Sequence, residues 1–154
     1  MRRSSLAWLG LLALTFVAWA PASGKPCRYL AGTVPGFSED TSGRLDLSNP
    51  RELTFTAGHD QRFTIAWDRI ASLEYGEKVG RRLGVALAVS PWILFSKRRR
   101  HFLTLGYTDA ADKPQGVLLE IGKNEVAGAI VVIEARTGRK VEYESPEAEA
   151  HIHG

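Results

Sequence analysis

The sequence of 154 residues predicts a mainly β domain, a barrel or sandwich of about seven short antiparallel strands. Three observations predict it. From Tyr29 onward, apolar residues alternate with polar ones in short runs that turn residues separate about every ten residues. The alternation gives way to a helical period near the carboxyl terminus, and one apolar segment interrupts the strands.

The alternation predicts the strands in order, because side chains two residues apart share a face of a strand. The turns between strands include Ser48-Asn49-Pro50, Gly58-His59-Asp60 and a polar loop over 109–116. A short edge strand over Val141 and Tyr143 is predicted after the helix. The residues on one face of the main strands are Leu45 and Leu47; Leu53 and Phe55; Phe63, Ile65 and Trp67; Leu73 and Tyr75; Leu103, Leu105 and Tyr107; and Val117, Leu119 and Ile121.

An amphipathic helix is predicted over residues 124–137. Val126, Ile130 and Ile133 recur at helical spacing. Asn124 is a suitable N-cap, and Gly138 stands where a left-handed C-cap residue would fall.

The amino terminus predicts an exported protein. Residues 1–22 have the pattern of a secretory signal peptide, because the positive Met1-Arg2-Arg3 precedes an apolar stretch over 6–20 and the small-residue cleavage box Ala20-Pro21-Ala22. The alternative is an uncleaved membrane anchor. Export predicts the periplasm or the extracellular space, with peripheral membrane association as an option.

The mature chain is then divided into three parts. Residues 23–42 are predicted as an extended segment and loop, residues 43–144 as the folded domain, and residues 145–154 as a flexible acidic and histidine-containing tail. Cys27 is the only cysteine, so the fold has no internal disulfide. A buried, inert thiol is the favoured interpretation of Cys27, and pairing with another molecule is the alternative.

The apolar segment, residues 83–95, contains no charged residue and has basic residues on both sides. A helix of that length is about 20 Å long, shorter than the ~30 Å hydrocarbon core of a bilayer. Removal of the signal peptide lowers the formal charge from +3 to +1, yet the region between Glu77 and His101 is strongly basic. Such asymmetry favours an anionic surface over nucleic acid, which export also disfavours as a partner.

Three interpretations of this insert remain open. In the first, a helix over residues 79–90 presents the small residues Gly80, Gly84 and Ala88 to the sheet and covers one opening of the barrel, and Pro91 ends it. In the second, the aromatic residues enter a membrane interface while basic side chains contact lipid phosphates. In the third, the insert mediates homo-oligomerisation or binds an acidic protein.

Several segments resemble known families. Gly43-Arg44-Leu45, Leu53-Thr54-Phe55 and Ile65-Ala66-Trp67-Asp68-Arg69-Ile70 resemble the start of GRAM-type and bacterial PH-like domains. Segments 75–82 and 134–141 resemble a group of exported bacterial proteins of unknown function. Over about residues 43–141 the resemblance implies a PH-like barrel with a capping helix, a fold that binds lipids, peptides or no known ligand. The basic cluster of lipid-binding PH domains is missing from residues 46–51, so their phosphoinositide site is not implied.

The sequence offers little support for catalysis. His151 and His153 could join His59 and His101 at a metal, but no carboxylate or thiolate stands at a fixed spacing from them. No nucleophile elbow or phosphate-binding loop is present. We therefore predict no enzyme activity, no cofactor and no metal.

The resulting hypothesis is an exported, non-catalytic module that docks on anionic membrane through the insert. The alternative is a protein-interaction or oligomerisation module of the cell envelope. The predicted contact residues for lipid or partner are Arg81, Arg82, Trp92, Phe95, Lys97, Arg98, Arg99 and Arg100.

Overall fold

The structure, a computed structural model, describes residues 24–58, 60–77 and 100–153. Within them, eight strands form one mixed sheet that does not close, and two helices accompany it. The mainly β class predicted from the sequence is confirmed. The elements are β1 (Lys25–Gly32), β2 (Thr41–Asp46), β3 (Glu52–Ala57), β4 (Gln61–Ala66), a 3₁₀ turn (Trp67–Arg69), β5 (Ile70–Gly76), β6 (His101–Thr108), β7 (Pro114–Ile121), α1 (Lys123–Thr137), β8 (Glu142–Tyr143) and α2 (Pro146–His153).

The strand order is β4-β3-β2-β1-β7-β6-β5-β8. Two antiparallel meanders, β1 to β4 and β5 to β7, meet where β1 pairs with β7 in the register Cys27↔Ile121. β8 adds the one parallel pair in the described sheet, with Tyr143 opposite Tyr75 on β5. The predicted edge strand near Val141 and Tyr143 is therefore present.

One large core cluster, called the main core, lies on one face of the sheet. It contains the alternating residues of every long strand, including Leu53, Leu103 and Leu119, each fully buried. α1 covers this face with four buried residues, namely Val126, Ala129, Ile130 and Ile133. Burial of apolar area at roughly 25 cal/mol per Å² makes this layer the main stabilising interaction of the fold.

The predicted helix over 124–137 is confirmed, with one difference at its start. α1 begins at Lys123, and Gly122 rather than Asn124 occupies the N-cap. At the other end Gly138 adopts φ 68°, and its N–H donates to the carbonyl of Glu134 at 2.8 Å. This is the left-handed C-cap that the glycine predicts.

Two terminal segments differ from their sequence-based description. Residues 25–32, placed ahead of the domain, form the strand β1 in the middle of the sheet, and Tyr29 is 1 % exposed. Residues 146–153, predicted as part of a flexible tail, form α2. The hydroxyl of Ser145 accepts from the N–H of Ala148 at 3.2 Å, and Pro146 occupies the first turn, as is favourable at a helix start. The predicted signal peptide and the predicted helix over 79–90 lie outside the described residues.

Candidate functional site

Both ends of the insert attach to the same end of the sheet. β5 ends at Gly76, and Gly76 lies opposite Phe102 near the start of β6. His101 lies opposite Ile121 at the end of β7, and Ile121 lies opposite Cys27 near the start of β1. We call this the insert end. Because neighbouring strands are about 4.8 Å apart, β1 and β5 are separated there by roughly 14 Å.

Of the eight predicted contact residues, the structure describes Arg100. Its Nη1 lies 3.1 Å from Oε2 of Glu120 on β7, and the two side chains are 29 % and 20 % exposed. Arg100 therefore forms an intramolecular ion pair at the insert end. The other seven, which lie outside the described residues, are Arg81, Arg82, Trp92, Phe95, Lys97, Arg98 and Arg99.

The two basic residues of β1, Lys25 and Arg28, also lie at this end and are paired with carboxylates. Arg28 contacts Glu120 at 3.7 Å and forms a second ion pair with Asp40. Lys25 contacts Glu125 in the first turn of α1 at 3.0 Å. Their positive charge is thus largely balanced within the domain. Residues 78–99, which connect to this end, add six basic and no acidic residues.

A group of stacked aromatic side chains joins α2 to the insert end. The hydroxyl of Tyr75 lies 2.7 Å from Nδ1 of His101, and the imidazole of His151 stacks on that of His101 with centroids 4.8 Å apart and planes 16° apart. At the rim, Nε2 of His153 lies 3.1 Å from the hydroxyl of Tyr143. We call Tyr75, His101 and His151 the histidine stack. It fixes α2 against β5 and β6.

The histidine stack has shifted ionisation equilibria. Burial, followed by the nearby His151, lowers the pKa of His101, since both disfavour an added positive charge. Burial raises the pKa of Tyr75 to about 12. A protonated Tyr75 hydroxyl can therefore donate to a neutral His101 near neutral pH, so this hydrogen bond joins two uncharged side chains.

The geometry of the stack is unsuited to a shared metal ion. Nδ1 of His101 is occupied by Tyr75, and nearly parallel imidazoles direct their in-plane lone pairs side by side rather than toward one point. Among residues 24–58, 60–77 and 100–153, no group of three or more potential ligands lies close enough to hold a metal. His59 lies outside the described residues.

Cys27 lies near the insert end but is poorly suited to nucleophilic chemistry. It is 4 % exposed, and burial together with Glu120 raises the pKa of its thiol to about 12. A thiol of that pKa carries almost no thiolate at neutral pH. The favoured interpretation of Cys27 as a buried side chain agrees with its position in the main core.

The sequence places Tyr75 on an inward face but does not predict the histidine stack or the role of Glu120. The stack depends on three segments far apart in the chain, and one of them falls in the predicted tail. A helix-start signal at Ser145 and Pro146 could have identified that segment as ordered.

Comparisons with known proteins provide no relative from which a role for this site could be taken. Within the described ranges, neither helix is long and apolar enough to cross a membrane. No protein-family model matches the chain, and no curated protein matches it either.

Proposed function

We propose that the mature chain is an exported, non-catalytic module that docks peripherally on anionic membrane through the insert between β5 and β6. The observation that carries the proposal is the attachment of both basic flanks to one end of the sheet. Arg81 and Arg82 follow Gly76 closely, while Lys97, Arg98 and Arg99 directly precede Arg100. Both groups can therefore face one planar surface at the same time.

The charge distribution supports the same orientation. Lys25, Arg28 and Arg100 at the insert end are paired with carboxylates, whereas residues 78–99 contain no acidic residue to balance their own charges. Near an anionic surface each such basic residue contributes about 1 kcal/mol, and the contribution falls with salt. Trp92 and Phe95 would anchor the segment at the headgroup level, where aromatic side chains are favoured.

A PH-like barrel remains the proposed finer description of the fold. Seven strands in two meanders are followed in the chain by α1, and β7 lies beside β1, an arrangement that supports the resemblance at residues 43–70. The α1 layer on the main core would then be the capping helix of such a domain. Export through residues 1–22 to the periplasm or extracellular space is part of the same proposal.

Flotation of residues 23–154 with vesicles tests the function. We expect flotation with vesicles containing anionic phosphatidylglycerol, little flotation with neutral phosphatidylcholine, and a loss of bound protein as salt is raised, because the attraction is screened. Absence of flotation under all these conditions would reject membrane docking. In that case a protein partner, bound without lipid at a fixed stoichiometry, becomes the better explanation.

A charge-matched pair of variants makes the test specific. The substitutions Lys97→Gln, Arg98→Gln and Arg99→Gln should abolish flotation while Arg100 keeps its ion pair with Glu120. The control neutralises three basic residues at the opposite end of the sheet, namely Arg62, Arg69 and Lys113. Equal loss of binding in both variants would show that only net charge matters and would reject docking through the insert.

A further inference from the structure

The carboxyl-terminal helix α2 has little apolar surface with which to hold itself to the domain. Among its residues, Pro146–His153, only Ala148 is buried, and Ile152 packs against the main core while partly exposed. A separate helix of eight residues is marginal in water, so α2 depends on its contacts with the rest of the domain. One alanine and one half-buried isoleucine supply only a small part of that attachment.

Two imidazole contacts supplement these apolar ones. The ring of His151 stacks on that of His101 with centroids 4.8 Å apart and planes 16° apart. At the rim, Nε2 of His153 lies 3.1 Å from the hydroxyl of Tyr143. The first contact is fixed to the sheet, because Nδ1 of His101 also lies 2.7 Å from the hydroxyl of Tyr75. The docking of α2 thus depends on two imidazole rings that lie face to face.

We infer that α2 is a pH-controlled strap, docked while the rings of His101 and His151 are uncharged and released as they take up protons. Two imidazolium rings at this distance repel each other, and their stacking leaves no space for a carboxylate between them. Once α2 leaves the sheet, water solvates the two charges separately. Proton binding therefore favours the released state over the docked one.

The groups that face His101 act in both directions. Burial is the largest influence and lowers its pKa, and His151 and Lys123 lower it further. Glu77 and Glu120 act in the opposite direction, and the net shift is downward. Glu120 is shared with two arginine side chains, which reduces its attraction for a proton on the imidazole. The docked arrangement as a whole therefore disfavours a charged His101.

The groups near His151 do not reverse this preference. Glu147 and Glu149 precede it on α2, by four and two residues. Because both belong to α2, they accompany His151 in the docked and released states alike and contribute little to the difference between them. The tyrosines of β5 and β8 add no charge near neutral pH, since burial raises the pKa of Tyr75 to about 12 and also raises that of Tyr143.

The expected pH window follows from the lowered pKa of His101. Docking is at full strength above the pKa of a free histidine, about 6.5, and weakens as the pH falls through that value. For each proton taken up on release, the ratio of released to docked α2 rises by up to about tenfold per pH unit. The sheet and α1 share a buried core of their own, so the release is local. The strap requires no lipid and goes beyond the proposed function.

Methyl NMR of the mature chain, residues 23–154, tests the release. Ile152 reports on α2, and Ile130 of α1 reports on the main core. Between pH 8 and pH 5 the methyl signals of Ile152 should move toward random-coil positions while those of Ile130 stay in place. Ile152 signals that keep their docked positions at pH 5 would overturn the inference. A simultaneous change at Ile130 would also overturn it, because the transition would then be global unfolding.

Two variants assign the response to the stacked rings. His101→Phe combined with His151→Phe keeps two rings in contact but cannot take up a proton there, so Ile152 should remain docked at pH 5. Ser145→Ala is the matched control, because it removes the hydroxyl that accepts from the N–H of Ala148. It should raise the ratio of released to docked α2 about fivefold and leave the response to pH intact. A full pH response in the double variant would overturn the inference.

Amide hydrogen exchange of the unchanged protein gives a test that does not depend on how the variants fold. After correction for the intrinsic rates, protection of residues 149–153 should fall about tenfold between pH 7.5 and pH 5.5. Protection of residues 126–133 in α1 should not change, and equal protection of α2 at both pH values would reject the strap. Vesicle flotation at pH 7.5, where α2 is docked, tests the membrane proposal separately.

Discussion

The strands β3 and β4 differ from β6 and β7 in how many faces they bury. In β3, Leu53, Phe55 and Ala57 are buried while Thr54 and Thr56 remain partly exposed. β6 is buried at five consecutive residues from His101, and β7 at four consecutive residues from Gly116. Strict alternation marks a strand with one solvated face, and an unbroken buried run marks a strand covered on both.

This difference separates two kinds of stabilisation in one sheet. The alternating half depends on the main core alone, and its outer residues such as Thr64 are exposed to solvent. The continuously buried half also has a second buried apolar cluster, formed by Leu30, Ala31, Phe102 and Leu118. A short apolar run in a sequence can therefore signal a second covering layer as well as a strand.

The largest expected effect is at Leu118, a fully buried residue of β7 that belongs to a cluster separate from the main core. Leu118→Ala should lower the free energy of unfolding by about 2–5 kcal/mol, because it removes a fully buried side chain and leaves a cavity. Thr64→Ala, on the exposed face of β4, should change it by less than about 1 kcal/mol. Urea unfolding of the two mature variants measures both. Equal, small effects would mean that Leu118 is not tightly packed and that the two halves of the sheet are alike.

Gly43 on β2 tests how tightly the main core is packed in the alternating half of the sheet. A Cβ at this position would clash with the carbonyl oxygen of Thr56 and lie 2.6 Å from the ring of Phe55. Gly43→Ala should therefore destabilise by about 1–3 kcal/mol through overpacking. At Gly106 on β6 a Cβ would meet the flexible hydroxyl of Ser72, which can rotate away. A smaller loss for Gly106→Ala in the same unfolding assay is expected, and the reverse order would mean that the backbone around Gly43 relaxes more easily than the Ser72 side chain rotates.

Local patterns identify most of the described elements. Alternation at positions such as Leu53 and Phe55 places a strand directly, because the period of a strand is local. The helix over 124–137 also follows from local spacing, and Gly138 ends it by the expected left-handed conformation. The position of β1 in the sheet is not predicted by alternation. A β-bulge between Tyr29 and Ala31 leaves the consecutive residues Leu30 and Ala31 both buried, so the segment does not alternate regularly.

The non-local features cannot be predicted in this way. The histidine stack joins β5, β6 and α2, and no spacing along the chain signals that contact. Glu120 resembles an ordinary solvent-facing residue of a strand, yet it lies between Arg28 and Arg100. Of the candidate site, the basic composition of the insert follows from the sequence, whereas the common attachment of its flanks depends on the strand order.

The pH dependence of stability tests the histidine stack within the continuously buried half. The folded protein holds the pKa of His101 below its ordinary value, so the unfolded chain binds the additional proton more readily. Stability should be full above the unfolded pKa near 6.5 and should fall as the pH drops through that value. Urea unfolding between pH 5 and pH 8 measures the slope.

Two variants separate His101 from its neighbours. His101→Phe keeps a ring against His151 but cannot titrate, so it should flatten part of the dependence. Thr64→Ala, on the exposed face of β4, removes no titratable group and should leave the slope unchanged. A wild-type slope that survives His101→Phe in full would assign the pH dependence to other groups.

The smallest expected effect compares two ion pairs of unequal exposure. Arg100 and Glu120 are 29 % and 20 % exposed, whereas Arg69 and Asp112 at the opposite end of the sheet are 43 % and 81 % exposed. Because exposed ion pairs are screened by water and contribute about 0–1 kcal/mol, Arg69→Gln should have little effect and Arg100→Gln should cost about 1 kcal/mol. Urea unfolding in low and high salt measures both losses. A loss at Arg100 that persists in high salt indicates a pair shielded from solvent. Equal, salt-sensitive losses would mean that solvent reaches Arg100 and Glu120 as freely as it reaches Arg69 and Asp112.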